Sequence, residues 1–233
     1  TIILGRTLDI SMNILYSGDS WTWGGELDGL DKNHGYRIAN RFSSVVGHPH
    51  VNIGSNGWSN EMISRSVVDY IESNENTIDF VIAQFTLPNR YSVYDEQKGY
   101  WVDIHPYMRL ASVKSFYKTI HNDVYAANEF WRSVLSLETY LENKNIPYYF
   151  MRFEMKGNEL RDDVNCPYKK ASKNKNMIEI CDSIIGKHLK TTKPRNPNFC
   201  PDLSHIDPTY GGGHPSADGH KLIAQHIQCI LPK

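Results

Sequence analysis

Four short apolar runs punctuate the chain: NILYS (13–17), HVNIG (50–54), DFVIAQF (79–85) and IPYYFM (146–151). The third is the most restrictive. It is continuously apolar where a half-exposed strand would alternate, so a strand there must be covered on both faces. Between these runs the apolar residues recur at helical spacing. From Tyr36 they fall at Ile38, Phe42, Val45 and Val46. Ser59-Asn60 caps a stripe of Met62, Ile63, Val67 and Ile71. Residues 123–143 carry Val124, Ala127, Trp131, Val134, Leu135, Glu138 and Leu141 near that spacing, and the tail from Ser216 carries Leu222, Ile223, Ile227, Ile230 and Leu231. Such strand–helix alternation predicts an α/β chain, its parallel sheet covered by helices on both faces and its connections right-handed.

No internal repeat and no linker composition interrupts this pattern, so residues 12–233 read as a single domain. Residues 1–11, ahead of Met12, read as an N-terminal extension or a cloning remnant, with an extra edge strand as the competing reading. They lack the basic start, long apolar stretch and small-residue cleavage site of a signal peptide. No run approaches the roughly 18–20 apolar residues that span a bilayer, and a cytoplasmic location is expected. The 14 tyrosines and 5 tryptophans argue against disorder. A formal net charge of −1 gives no global field toward nucleic acid or anionic membrane. Cys166, Cys181, Cys200 and Cys229 include no CxxC pair and are expected as free thiols, with a Cys166–Cys200 disulfide as the alternative.

Two regions do not fit the alternation. Residues 89–122 are long, aromatic and only partly periodic, and residues 155–208 hold two lysine-rich stretches around MIEICDSIIG. Insertions after parallel strands either build substrate-binding loops or cover surface. The lysines read as solvated, with an anion-binding patch as the alternative.

The polar residues collect at the carboxyl ends of the predicted strands. The first strand runs into GDSW, which exposes the Ser20 hydroxyl where such a sheet binds ligands; a hydroxyl needs a base to become a nucleophile. The second leads into NIGSNGWSN, whose Gly54 and Gly57 permit a sharp turn with unpaired backbone N–H groups suited to an oxyanion. The third ends in FTLPNR, with Thr86, Asn89 and Arg90 at the same edge. Before the last helix, YGGGHPSADGH presents His214. Each element alone is ordinary turn chemistry. Their order brings all four to one sheet edge.

GDSWTWG, NIGSNGWSN and GHPSADGHKLIA resemble blocks I, II and V of the SGNH (GDSL-type) hydrolases, from about Met12 to the C-terminus, while residues 90–200 match only in layout. Within that family the chain is most similar to a group common in phage and environmental genomes, and a phage-encoded origin is expected from this. The resemblance implies a three-layer α/β/α sandwich with a parallel, flavodoxin-like sheet, and ester hydrolysis through an acyl-enzyme with neither metal nor cofactor. It makes Ser20 the nucleophile, its own N–H part of the oxyanion hole, Gly57 a second backbone donor, and His214 the general base. An acyl ester, such as an acetyl ester, of a carbohydrate or small molecule is the implied substrate.

Two departures from the family pattern matter. The asparagine of the third block is missing: Thr86 and Pro88 stand near its place and Asn89 one residue away, so Thr86, Asn89 or Asn60 is expected to substitute. In the fifth block Gly211 stands where an acid should orient the imidazole. Asp207, seven residues before His214, is the weak candidate for that role, and a Ser-His dyad is the alternative. These departures keep two other readings open: a catalytically weak glycan-binding or structural module, with Tyr91, Tyr94, Tyr100, Trp101 and Tyr107 stacking on sugars, and an acyltransferase. His205, Asp207, His214 and His220 match no metal-ligand spacing. No phosphate-binding loop or nucleic-acid motif occurs. The sequence leaves the oligomeric state open.

Overall fold

The computed structural model describes residues 12–25, 27, 34–74, 77–106, 108–152, 165–172, 177–179, 214–215 and 217–232. The strands are β1 (Ile14–Gly18), β2 (His50–Asn52), β3 (Phe80–Phe85), β4 (Tyr91–Asp95), β5 (Tyr100–Ile104), β6 (Tyr148–Arg152) and β7 (Met177–Glu179). The helices are α1 (Ser20–Trp23), α2 (His34–Asn40), α3 (Phe42–Val45), α4 (Asn60–Ser73), α5 (Ala111–Thr119), α6 (Asp123–Lys144), α7 (Pro167–Ala171) and α8 (Ala217–Ile230). Five strands form one parallel sheet in the order β2-β1-β3-β6-β7. Numbered among themselves they run 2-1-3-4-5, the flavodoxin-like order expected. Both outermost strands have three residues.

Side-chain alternation along the central strands builds the layers. Ile14 and Tyr16 of β1, Phe80 and Ile82 of β3 and Met151 of β6 face one side, where Phe42, Val46 and the α8 residues Ile223, Ala224 and Ile227 cover them. Leu15, Val81, Ala83, Phe85 and Phe150 face the other, against Ile63 and Val67 of α4 and Ala127, Trp131, Val134, Leu137 and Leu141 of α6. All six residues of β3 are buried, as its apolar run requires.

The stripe from Tyr36 to Val46 is two helices rather than one. Arg41 is extended (φ −69°, ψ 146°), and the Phe42 N–H donates 3.2 Å to Nδ1 of His220 instead of continuing the helical ladder. Residues 89–122 form a hairpin, β4–β5, followed by α5. Tyr91, Ile104 and Val113 pack there with Phe116, Tyr117 and Tyr125 in a third, smaller core. Tyr91 is therefore structural and unavailable for stacking on a ligand, while Tyr94, Tyr100 and Trp101 are exposed. Cys166 is a buried free thiol, its Sγ 3.3 Å from Asn128 Oδ1, while Cys200 of the alternative pairing lies outside the described residues. The extension at 1–11, Tyr107 and most of 155–208 lie outside the described residues. Among the described residues no helix is long and apolar enough to cross a membrane.

Candidate active site

In this strand order the crevice for ligands opens between β1 and β3, at the carboxyl ends. The backbone leaves β1 at Gly18, and the packing requires glycine there. A Cβ would stand 2.1 Å from Thr22 Oγ1 and 2.8 Å from Gln84 Oε1. Asp19 follows as the cap of α1, its Oδ1 accepting from the Trp21 N–H at 3.0 Å, so Ser20 becomes the first residue of that short helix. The turn is fastened from both neighbouring strands. Gln84 Oε1 accepts from Asp19 N–H (3.3 Å) and Thr22 Oγ1 (2.9 Å), and Asn52 Nδ2 donates to the Thr22 carbonyl (2.8 Å). Gln84 is a polar residue inside an apolar strand, a visible signal for this role. Ser20 is only 3% exposed.

His214 stands against the same turn. A Cβ on Gly25 would lie 2.9 Å from Cδ2 and 3.0 Å from Nε2 of His214, and 3.0 Å from the carbonyl oxygen of Ser20. The Gly25 N–H donates to that carbonyl at 2.6 Å. The imidazole and the serine backbone therefore meet across one residue without a side chain. Behind His214, His220 in the first turn of α8 is fully buried. Its ring stacks on Phe42 (centroids 5.7 Å apart), and its pKa is pushed down to about 3 by burial first and by the charge on His214 second.

The second-strand loop is held to β1 by bonds from Ile53 N–H to Tyr16 O (2.9 Å) and from Ser55 N–H to Gly18 O (3.0 Å). Gly57 has φ +84°, the left-handed region that favours glycine, and faces open space. Ser59 caps α4 through Met62 N–H, which buries Asn60 at the helix start. Asn60 Oδ1 accepts from Thr86 N–H at 2.7 Å, and Asn60 Nδ2 donates one proton to Leu87 O at 3.2 Å. Thr86 Oγ1 donates to Asp19 Oδ2 at 2.5 Å, so both its protons are committed. Asn89 lies on the loop behind, its carbonyl accepting from Tyr117 Oη at 2.7 Å and its Oδ1 buried without a partner. Asp207 lies outside the described residues.

Arg90 Nη1 reaches Asp19 Oδ2 at 3.0 Å. Burial, and after it the Arg90 charge, lower the pKa of His105 at the end of the hairpin. The hairpin is seated by Ser92 Oγ and Ser59 N–H, which donate to Asp103 Oδ1 at 2.6 and 3.2 Å. Among the described residues no group of three or more His, Cys, Asp or Glu side chains is gathered for a metal.

No family model and no curated protein sequence matches the chain. Solved structures do. A G-D-S-L family protein from Desulfitobacterium hafniense superposes with a TM-score of 0.51 at 14% identity, covering 94% of this chain and 99% of that one. An acetyl xylan esterase from the rumen bacterium Butyrivibrio proteoclasticus superposes with a TM-score of 0.52 at 10% identity, covering 94% of this chain and 63% of that protein's length. The chain has an SGNH hydrolase-like α/β fold.

Proposed function

We propose that the protein is a serine esterase that removes an acyl group from a carbohydrate or small oxygen ester. The observation that carries this reading is the meeting of Ser20 and His214 across Gly25, at the crevice of an SGNH-like sheet. His214 takes the Ser20 Oγ proton as the oxygen attacks the acyl carbonyl. The tetrahedral oxyanion is received by the N–H groups of Ser20 and Gly57. Its collapse expels the alkoxide, which takes the proton from His214, and water then releases the acid by the same steps. Asn60, with an amide proton to spare, is the better third donor than Thr86, whose protons are engaged. Asp207 remains the proposed orienting acid. The acetyl xylan esterase likeness makes an acetylated sugar the first substrate to try.

The test is direct. The wild type should hydrolyse p-nitrophenyl acetate and be labelled by a fluorophosphonate probe. Ser20→Ala should lose labelling entirely and at least about 10³-fold in kcat. Absence of both reactions in the folded wild type removes the esterase reading. One observation favours a second reading, a glycan-binding module: Tyr94, Tyr100 and Trp101 are 52%, 55% and 42% exposed on the hairpin. Glycan binding retained in Ser20→Ala beside negligible wild-type turnover would select it.

A further inference from the structure

We infer that Arg90 is the counter-ion that keeps the Asp19 carboxylate from opposing the negative charge formed at Ser20, an inference that rests on the esterase reading. Asp19 directly precedes Ser20, and its side chain is only 5% exposed. Three donors converge on it: Trp21 N–H on Oδ1 at 3.0 Å, and Thr86 Oγ1 and Arg90 Nη1 on Oδ2 at 2.5 and 3.0 Å. Two of these donors are neutral. They hold the carboxylate in place, but only Arg90 can cancel its charge.

The need for cancellation follows from the reaction. Attack by Ser20 puts a full negative charge on the acyl oxygen, one residue from Asp19, its carbon bonded to a serine that is itself only 3% exposed. Like charges a few ångström apart under those conditions repel by enough to slow a reaction by orders of magnitude. Arg90 arrives from the loop after β3, and its side chain is 19% exposed, so the guanidinium stands at the edge of the crevice with one face on the carboxylate. Its charge reaches as far as the His105 imidazole. Arg90 therefore acts through Asp19 and need not touch the substrate.

A purely mechanical ion pair, tying the β3 loop to α1, would have the same geometry. The two roles separate in a double-mutant cycle. If Arg90 only fastens the loop, removing Asp19's charge cannot repair its loss. If Arg90 cancels that charge, it can. The experiment measures kcat on p-nitrophenyl acetate and the rate of fluorophosphonate inactivation for wild type, Asp19→Asn, Arg90→Met, Arg90→Lys and the double variant Asp19→Asn/Arg90→Met, with the melting temperature of each. Arg90→Met should lower both rates about 100-fold, and Arg90→Lys, which keeps the charge, less than about 10-fold. The double variant should be at least about 10-fold faster than Arg90→Met, and Asp19→Asn alone should stay within about 10-fold of wild type. Asparagine still caps α1 through its Oδ1, while its Nδ2 donates to the Thr86 hydroxyl, which turns to accept, so the turn survives the change.

A double variant no faster than Arg90→Met overturns the inference, as does Arg90→Met within about twofold of wild type. Should Arg90→Met not fold, Asp19→Asn decides alone: a rate within about 10-fold of wild type supports the inference, and a loss of about 100-fold overturns it. A wild type that neither turns over ester nor takes the probe overturns the esterase reading and this one together, before any variant is made.

Discussion

At the scale of single residues, Gly25 governs the distance between the proposed nucleophile and its base. A methyl group there would press on Cδ2 and Nε2 of His214 and on the Ser20 carbonyl at 2.9–3.0 Å, closer than real contacts allow. Gly25→Ala should therefore push the imidazole outward, lowering kcat on p-nitrophenyl acetate about 10- to 100-fold through misplacement of the base. The melting temperature should shift by only a few degrees, because His214 is partly exposed and can yield. Unchanged kcat would mean that His214 does not serve Ser20. The proposed roles of Ser20 and His214 come from short local patterns in the sequence. The Gly25 contact and the Asp19–Arg90 pair do not. Arg90 reads as one more polar group at a strand end, and its partner is 71 positions away, where no periodicity or turn rule reaches. Thr86 shows how position alone leaves the partner unread. Its position fits the missing asparagine, but its hydroxyl proton belongs to Asp19.

At the scale of elements, Ser59 does two things. Its Oγ accepts from Met62 N–H to cap α4 and meets Ser92 Oγ at 2.6 Å, joining the helix start to the hairpin. Ser59→Ala should cost about 1 kcal/mol for the cap, measured by urea unfolding. Loss of the Ser92 contact should also raise amide exchange in β4 and β5 more than in β1 and β3, as local opening of the hairpin predicts. Equal exchange in all four strands would mean that the hairpin is not seated through Ser59. The long helices and all four strand runs agree with the sequence to within about two residues, because burial on a helix stripe or a covered strand leaves a regular imprint. The break at Arg41 leaves none. The Phe42 N–H is taken by His220 of α8, 178 positions on, and that partner exists only in the folded chain. The hairpin was hidden for a related reason: Tyr91, Phe116, Tyr117 and Tyr125 pack on one another, so their spacing follows neither a strand nor a helix template.

At the scale of the whole molecule, stability should respond to acid through His220. Burial lowers its pKa from 6.5 to about 3, so between those values the unfolded chain binds a proton that the folded one cannot. Its contribution is complete above about pH 6.5 and is lost progressively as pH falls toward 3. Urea unfolding at pH 7.5 and pH 5 should show a loss of stability that is clearly smaller in His220→Asn, whose amide keeps an acceptor for Phe42. An equal loss in both proteins would assign the acid sensitivity elsewhere. The parallel sheet covered on both faces was readable from the alternation of runs, and its flavodoxin-like order from the family resemblance, whereas the brevity of the flanking strands was not. That brevity has a consequence for the molecule in a crowded solution. The margins of the sheet, β2 and β7, offer only three residues each to a passing strand. Short edges are poor templates for recruiting a foreign chain. Among the described residues, the five-stranded sheet is thereby guarded against recruiting a further strand at its borders.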